Sequence, residues 1–170
     1  MSLPGVLRSA CLFFPLLLGV TADQILKSIA RELLDAGLRV SYWHGLIQLQ
    51  LIENRGGFLG YLNLIPEQPR FWLLTVGVGV MLLAAAVWLL RSNGLSSLQR
   101  IVAALIIAGG VSNLLDRLCH AGGVTDFISI GIGPLRTGIF NLADVYILAG
   151  AFYLGFFFSK RQRPGHQTIP

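Results

Sequence analysis

The sequence predicts an all-α membrane protein of four transmembrane helices with a small extracytoplasmic β-sheet, folded as a single domain over residues 1–170. Apolar residues make up 54% of the chain and charged residues only 12%, about half the share found in soluble globular proteins. This number of charged residues is too small to cover a surface that faces water. We therefore expect lipid to replace water over much of the protein surface. Long apolar runs predict the helices, and two stretches of alternating residues predict the sheet.

Four apolar segments are long enough to cross the hydrocarbon core of a bilayer, which takes about 20 helical residues. The clearest segment runs from Phe71 to Leu90 and contains no charged residue. The other three cover about residues 10–29, 98–118 and 137–159. These four segments define the predicted spans.

The first segment also has a second interpretation, as a signal peptide that is removed. Arg8 provides a positive start, and Val20-Thr21-Ala22 has the small residues of a cleavage site. Apolar character nevertheless continues through Ile25, Leu26 and Ile29, which a retained helix requires. The sequence favours the retained helix.

Basic residues outside the spans indicate the orientation. The N-terminal segment, the loop between the second and third spans, and the C-terminal tail carry basic residues and no acidic ones, whereas residues 31–70 carry both. Because basic residues are enriched in cytoplasmic loops, both termini are predicted to be cytoplasmic. Segments 30–70 and 119–136 are then extracytoplasmic. Membrane topology accounts for these basic residues, so no nucleic-acid partner is expected.

The two outer segments contain the pattern of half-buried strands. Apolar and polar residues alternate over residues 47–51, and isoleucines recur at positions 128, 130 and 132. A period of two residues is typical of a strand with one buried face. We expect the two stretches to pair into a small sheet on the outer membrane surface.

Polar residues of the predicted spans gather near one depth, the outer face. A charge in hydrocarbon costs at least about 2.5–3.5 kcal/mol, so such residues normally have partners or a chemical role. The residues in question are Asp23 and Lys27 in the first span, Asn113, Asp116 and Arg117 in the third, and Asn141 and Asp144 in the fourth. Asp126 follows the third span closely.

For four of these residues a structural role and a functional role stay equally open. Asp23 can pair with Lys27, which lies one helical turn away. Asp116 can pair with Lys27 or with Arg117. Such pairs would hold the helices together without taking part in chemistry.

Asp126 and Asp144 differ from the others because few basic residues remain to neutralise them, Arg136 being the main candidate. Two close carboxylates cannot both ionise at low cost, so the pair holds one proton over a broad pH range. The ionised member can take a proton from water while the protonated member supports a carbonyl oxygen. The pair therefore predicts peptide hydrolysis without a metal or a covalent intermediate.

Other hydrolytic chemistries have less support in the sequence. His44, His120 and His166 lack the spacing of metal ligands, so no metal site is expected. Ser112 has no histidine near its depth, which argues against a serine nucleophile.

Five sequence blocks, in order along the chain, resemble the bacterial lipoprotein signal peptidase family, also called signal peptidase II. Each block alone is a weak indication of the family, whereas five blocks in the same order are a specific one. They are Asp23-Gln24-Ile25-Leu26-Lys27, Asn54 with Gly56, Gly110-Val111-Ser112-Asn113-Leu114-Leu115-Asp116-Arg117, Val124-Thr125-Asp126-Phe127-Ile128 and Phe140-Asn141-Leu142-Ala143-Asp144. The first block also favours retention of the first span.

The resemblance implies an intramembrane aspartyl endopeptidase whose catalytic pair is Asp126 and Asp144. The implied substrate is a prolipoprotein whose lipobox cysteine bears diacylglycerol, cleaved on the amino side of that cysteine. No cofactor is implied. The residues expected to bind substrate or shape the site are Asp23, Lys27, Asn54, Gly56, Asn113, Asp116, Arg117 and Asn141. A mobile outer lid would include Gly57-Phe58-Leu59-Gly60.

The resemblance also implies a place in the cell. The protein is expected in the bacterial cytoplasmic (inner) membrane, as a monomer among membrane lipids, with its active site near the outer face. Such a depth suits a lipidated cysteine, because its acyl chains lie in the membrane while the peptide meets water.

Two positions depart from the usual family pattern. Ser112 replaces a glycine, and Arg55-Gly56-Gly57-Phe58-Leu59 replaces small residues followed by phenylalanine. The choice between a housekeeping enzyme and a specialised paralogue stays open. Two rival functions are a proton-coupled membrane carrier and a catalytically inactive lipoprotein-binding paralogue. A proton relay needs carboxylates spread through the membrane depth, whereas these gather at one edge, which favours the peptidase.

Overall fold

The computed structural model describes residues 5–35, 37–57 and 62–161. Within these ranges, helices form a bundle and strands form an antiparallel sheet at one end of it. The elements are helix α1 (Gly5–Leu33), strands β1 (Arg39–Tyr42) and β2 (Ile47–Asn54), helix α2 (Glu67–Phe71), a π-helical segment (Trp72–Gly77), helices α3 (Val78–Arg91) and α4 (Ser97–Cys119), strands β3 (Val124–Ile132) and β4 (Leu135–Arg136), and helix α5 (Leu142–Arg161). The predicted lid residues Phe58 to Gly60 lie outside the described residues.

The helices have the length and composition of membrane spans. In the described part of the chain, three of them are long and apolar enough to cross a bilayer: Leu12–Leu33, Glu67–Arg91 and Ser97–Cys119. Helix α5 carries a shorter apolar stretch, Leu142–Phe157. Large apolar side chains such as Phe14 are exposed on the bundle, as expected where lipid is the solvent. The chain is a multi-pass membrane protein, and the fourth span stays a prediction.

Helix α4 lies at the centre of the bundle and packs against α1, α3 and α5. Small residues allow this close approach, as is typical of helix interfaces in membranes. A Cβ added at Gly109 would lie 2.5 Å from the carbonyl oxygen of Ala143 on α5. A Cβ added at Gly19 on α1 would lie 2.9 Å from the Cβ of Ala108. The glycines therefore fix how near α1 and α5 come to α4.

The sheet has the order β1-β2-β3-β4, and each neighbouring pair is antiparallel. Strand β2 pairs with β3, as the alternating residues predict, and Leu49 lies opposite Ile128. The register shifts between Leu49 and Ile52, beyond which Asn54 lies opposite Val124. Asn54 and Asp126 are thereby diagonal neighbours on one face of the sheet, within side-chain reach of each other.

The sheet rests on the end of α1. Ala30, Leu34 and Phe127 form a buried apolar cluster between the helix and β3. The cluster explains why α1 continues to Leu33, beyond residue 29 where the sequence predicts the span to end. Helix α1 and strand β3 are thus held together at the end of the bundle where the polar residues gather.

Helix α5 begins at Leu142, whereas the sequence predicts the fourth span to begin at residue 137. Residues before the helix are hydrogen-bonded to the sheet instead. The amide of Thr137 donates to the carbonyl of Ile130 at 2.8 Å, and Phe140 forms a bridge with Ile128. These bonds keep the chain extended up to Asn141. The side chain of Asn141 then accepts a hydrogen bond from the amide of Asp144 and caps the start of α5.

We predict that Gly109→Ala destabilises the protein, because its added methyl group would press on the backbone of α5 at Ala143. Overpacking of this kind costs about 1–3 kcal/mol. Thermal unfolding in a non-ionic detergent measures the effect. Gly155→Ala is the matched control, because a Cβ at Gly155 meets nothing within 4 Å. Equal midpoints for the two variants would contradict the close packing of α4 and α5.

Candidate active site

Asp126 is the most deeply buried carboxylate outside the helices, with 2% of its surface exposed. Two side-chain amides donate to it: Asn54 Nδ2 to Oδ2 at 2.9 Å and Asn141 Nδ2 to Oδ1 at 2.7 Å. The ion pairs of the described residues include neither Asp126 nor Asp144. Neutral amides, rather than positive side chains, therefore hold Asp126 in position.

Asp144 lies in the first turn of α5, where Asn141 and Asp144 cap the helix reciprocally. The amide of Asp144 donates to Asn141 Oδ1 at 3.0 Å, and the amide of Asn141 donates to Asp144 Oδ2 at 3.3 Å. Asparagine before a helix with an acidic residue three positions later is a sequence pattern that favours this cap. Asn113 Nδ2 adds a bond to Asp144 Oδ1 at 3.0 Å. Asn141 thus contacts both Asp126 and Asp144.

Burial raises the pKa of Asp126 to about 7, and the negative charge of Asp144 acts in the same direction. The hydrogen bonds from Asn54 and Asn141 oppose this rise only in part. The folded protein therefore keeps the proton up to about pH 7, whereas an unfolded carboxyl loses it near its ordinary pKa of 3.8. The contribution of Asp126 to the free energy of unfolding therefore decreases as the pH rises from 3.8 to about 7. Asp126 can therefore take up or release a proton near neutral pH.

Lys27 is fully buried and joins the two aspartates of its neighbourhood. Its ammonium lies 2.8 Å from Asp23 Oδ2 and 3.1 Å from Asp116 Oδ2, and it donates to Asn113 Oδ1 at 2.8 Å. Of the two partners that the sequence leaves open for Asp116, the structure selects Lys27. Through Asn113, this charge cluster also positions the amide that binds Asp144.

The remaining oxygens of the cluster bind other elements of the fold. Asp23 accepts hydrogen bonds from Ser112 Oγ at 2.7 Å and from the amide of Ala143 at 2.8 Å. Asp116 accepts from the amide of Thr125 at 2.9 Å and from Gln24 Nε2 at 3.0 Å. The cluster therefore links α1, α4, α5 and β3. Gln24, Ser112 and Thr125 were not predicted as site residues, although each belongs to one of the five sequence blocks.

Asn54 is oriented by the glycine that follows it. The amide of Gly56 donates to Asn54 Oδ1 at 3.2 Å, so the Nδ2 group is the one that faces Asp126. Gly56 has no room for a side chain, because an added Cβ would lie 2.7 Å from the backbone nitrogen of Asn63. The predicted role of Gly56 in shaping the site has a physical basis in this close approach.

Arg117 is buried near the pair but forms no ion pair within 4.0 Å in the described part of the chain. Its Nη1 donates to the carbonyl of Asn113 at 3.4 Å, and its charge interacts with Asp144, Asp126 and Asp116 at longer range. The alternative in which Arg117 forms an ion pair with Asp116 is therefore wrong. Arg136 donates to the carbonyls of Gly45 and Gly131 and does not neutralise the pair either.

The predicted site residues thus converge on one end of the bundle. Asp126 and Asp144 both bond to Asn141 and form no ion pair within 4.0 Å among the described residues, and a carboxyl with a pKa of about 7 suits general acid–base chemistry. Across residues 5–35, 37–57 and 62–161, no group of three histidine, cysteine, aspartate or glutamate side chains is arranged to hold a metal ion.

We predict that Lys27→Met is strongly destabilising, because it leaves the buried carboxylate of Asp23 without a counter-charge and leaves Asp116 with its nearest basic groups, on Arg31 and His120, 4.0 Å away. Removing one partner from a buried ion pair costs about 3–5 kcal/mol. Unfolding in detergent provides the measurement. Arg39→Gln is the control, since Arg39 is exposed and bonds to Gln50 at the surface. A Lys27→Met midpoint equal to that of the control would contradict the proposed importance of the cluster.

Comparison with known proteins relates this geometry to a family. The family model described as signal peptidase (SPase) II matches residues 16–159. Lipoprotein signal peptidases of Burkholderia vietnamiensis (strain G4 / LMG 22486) and Burkholderia cenocepacia (strain HI2424) are each 36% identical over 106 residues. These matches cover 62% of this chain and 62% of the length of each relative.

Two solved structures share the fold. Both are described as bacterial membrane enzymes determined by the in meso method, one at 2.3 Å and one at 1.9 Å resolution. The first has a TM-score of 0.75 at 21% identity and covers 92% of both chains. The second has a TM-score of 0.73 at 22% identity and covers 86% of this chain and 91% of its own. The family match spans most of the described residues, including every predicted site residue, and the chain therefore belongs to the signal peptidase (SPase) II family.

Proposed function

We propose that the protein is an intramembrane aspartyl endopeptidase that removes the signal peptide from diacylglyceryl-modified prolipoproteins. The observation that carries this proposal is the pair Asp126 and Asp144, bridged by Asn141 and free of ion pairs among the described residues. The name of the Burkholderia relatives, lipoprotein signal peptidase, supports the substrate class. The bond cleaved would be the one on the amino side of the lipidated cysteine.

The pair would act as an acid and a base in turn. The ionised carboxylate takes a proton from water, and the oxygen of that water attacks the carbonyl carbon of the scissile bond. The protonated carboxyl donates to the carbonyl oxygen. Collapse of the intermediate then breaks the C–N bond, and the leaving nitrogen takes up a proton from the pair. A pKa of about 7 for Asp126 suits this exchange, because the pair then holds one proton near neutral pH.

The neighbouring residues would keep the pair in working geometry. Asn54, Asn113 and Asn141 donate hydrogen bonds to the two carboxylates and so fix their orientation. Arg117 would lower the cost of negative charge on the pair without neutralising either carboxylate, because its interaction with both acts at long range. Asp23, Lys27 and Asp116 would shape the site through Asn113.

We also propose a topology for this single domain, residues 1–170. Spans at about 10–29, 71–90, 98–118 and 137–159 would cross the bacterial cytoplasmic (inner) membrane, with both termini in the cytoplasm. Segments 30–70 and 119–136 would be extracytoplasmic, with the lid among them, and the active site would lie near the outer face. The position of Asp126 at the sheet end of the bundle supports this placement. The protein would act as a monomer among membrane lipids.

A proton-coupled carrier is less favoured by the same geometry. The buried aspartates Asp23, Asp116 and Asp126 belong to one hydrogen-bonded region around Asn113 and Asn141 rather than to a series along the bundle. A relay across the membrane needs groups at successive depths.

We predict that Asp126→Asn and Asp144→Asn each abolish cleavage, because neither variant can exchange one proton between two carboxyl groups. Loss of general acid–base catalysis lowers rates by about 10²–10⁴-fold. Purified protein in detergent is incubated with a diacylglyceryl-modified precursor, and the released peptide is measured by mass spectrometry. Asp35→Asn is the control, since Asp35 is exposed outside the helices and strands. Full cleavage by either Asp126→Asn or Asp144→Asn would show that the pair is not catalytic.

A further inference from the structure

One side of the β-sheet is turned toward the helices. Alternate residues of a strand point to the same side of a sheet. The residues of β3 that share a side with Asp126 are therefore Ile128, Ile130 and Ile132. The carboxylate of Asp126 accepts a hydrogen bond from Asn141, which caps the start of α5. This side of the sheet therefore faces the helices, and we call it the helix-facing side.

Neighbouring strands extend the helix-facing side with further apolar residues. Residues directly opposite each other in antiparallel strands have their side chains on the same side. Ile130 lies opposite Ile47, Ile47 lies opposite Tyr42, and Ile132 lies opposite Leu135. These five residues form what we call the apolar end of the sheet. The same strands carry polar residues on the other side, namely Ser41, Gln48 and Ser129.

Helix α1 covers only the part of the helix-facing side that lies nearest to Asp126. There Val40, Leu49 and Ile128 pack against the buried cluster at the end of the helix. Farther along the strands the apolar residues are exposed. The exposed fractions are 51% for Tyr42, 41% for Ile130, 78% for Ile132 and 83% for Leu135. Exposed apolar surface of this extent is typical of an interaction site.

The space next to this end of α1 is lipid. The helix is long and apolar enough to cross a bilayer, and close to the sheet its residues Ile29 and Leu33 are 44% and 70% exposed. Such side chains face hydrocarbon in a membrane protein. The apolar end of the sheet continues this surface beyond α1, on the side that faces the helices. A soluble partner would have to enter the bilayer to reach it, so the geometry favours lipid as the occupant.

The two hairpin turns at the apolar end are held together by Arg136. Its guanidinium donates to the carbonyl of Gly45 at 2.6 Å and to the carbonyl of Gly131 at 3.1 Å. It also donates to the carbonyl of Ser129 at 3.2 Å. Because these bonds join the β1–β2 turn to β3, the apolar end is a fixed part of the sheet rather than a frayed edge.

The turn between β1 and β2 carries an exposed tryptophan. Trp43 is 72% exposed, and its backbone φ of 48° lies in the left-handed region, which is unfavourable for a bulky side chain. Hairpin turns that need a positive φ usually contain asparagine or glycine instead. Tryptophan is enriched at the boundary between lipid and water. A tryptophan kept at this cost beside the apolar end supports a position at that boundary.

We propose that the apolar end of the sheet inserts into the bilayer leaflet beside α1. Ile132 and Leu135 lie among the acyl chains, and Trp43 lies at the boundary between lipid and water. Lipid and the α1 cluster then hold β3 at two places, which fixes the depth of Asp126 relative to the bilayer. The proposal identifies the side of the sheet and the residues that meet lipid, and it does not depend on the peptidase function.

Spin labelling of the full chain in nanodiscs that hold one copy each tests the proposal. Both native cysteines are replaced by alanine, and a nitroxide is attached to Ile132→Cys or Leu135→Cys. Ser41→Cys and Gln48→Cys are the matched controls, because they lie on the other side of the sheet. Oxygen concentrates in lipid, whereas a polar nickel complex stays in water. The ratio of oxygen to nickel accessibility should be several-fold higher at positions 132 and 135 than at positions 41 and 48.

Tryptophan fluorescence provides a second measurement that needs no label. In a Trp72→Phe and Trp88→Phe background, Trp43 is the remaining tryptophan of the chain. Lipids brominated on the acyl chains should quench its fluorescence in nanodiscs. Thermal unfolding of each variant, compared with its unlabelled parent, shows that the protein is folded.

Two outcomes would overturn the proposal. Equal accessibility ratios at positions 132, 135, 41 and 48, with no quenching of Trp43 by brominated lipid, would mean that both sides of the sheet face water. Positions 132 and 135 closed to oxygen and nickel alike, with spin–spin coupling in nanodiscs that hold two copies, would assign the apolar end to contact with a second copy of the chain.

Discussion

The buried ammonium of Lys27 is the interaction on which the rest of the site depends. A positive charge in the apolar interior of a membrane protein is costly unless it is paired, and Lys27 is paired with Asp23 and Asp116. The same two carboxylates bind the backbone of Ala143 at the start of α5 and of Thr125 in β3. Four elements therefore meet at one cluster. Separating any of them would leave a buried charge incompletely bonded.

This cluster sets the geometry of the Asp126 and Asp144 pair without neutralising it. Lys27 holds the oxygen of Asn113, whose amide nitrogen then donates to Asp144, and Asn141 connects Asp144 with Asp126. Asparagines thus separate the ammonium of Lys27 from the carboxylates of Asp126 and Asp144. The amides position the carboxylates, while burial keeps a proton on Asp126 near neutral pH. An arginine in direct contact would have fixed the position equally well but would have favoured the ionised form.

Much of this arrangement could be predicted from the sequence, because its signals are local. Long apolar runs indicated the helices, alternating residues indicated the pairing of β2 with β3, and polar residues that are costly to bury in a membrane indicated the site. The remainder depends on tertiary contacts. Strands β1 and β4 are too short to show a periodic pattern, and the start of α5 is delayed because Thr137 and Phe140 bond to the sheet. The role of Ser112, which donates to Asp23 across the interface between α4 and α1, requires knowing which helices touch.

The central claim is that the Asp126 carboxyl carries the shared proton of the pair around neutral pH. Titration of the full chain in detergent with isotope-labelled aspartate, followed by infrared or carbon NMR spectroscopy, measures this directly. The signal is assigned by its absence in Asp126→Asn. The account predicts a pKa of about 7 for this carboxyl. Titration of Asp126 near its ordinary value of 3.8 would contradict it.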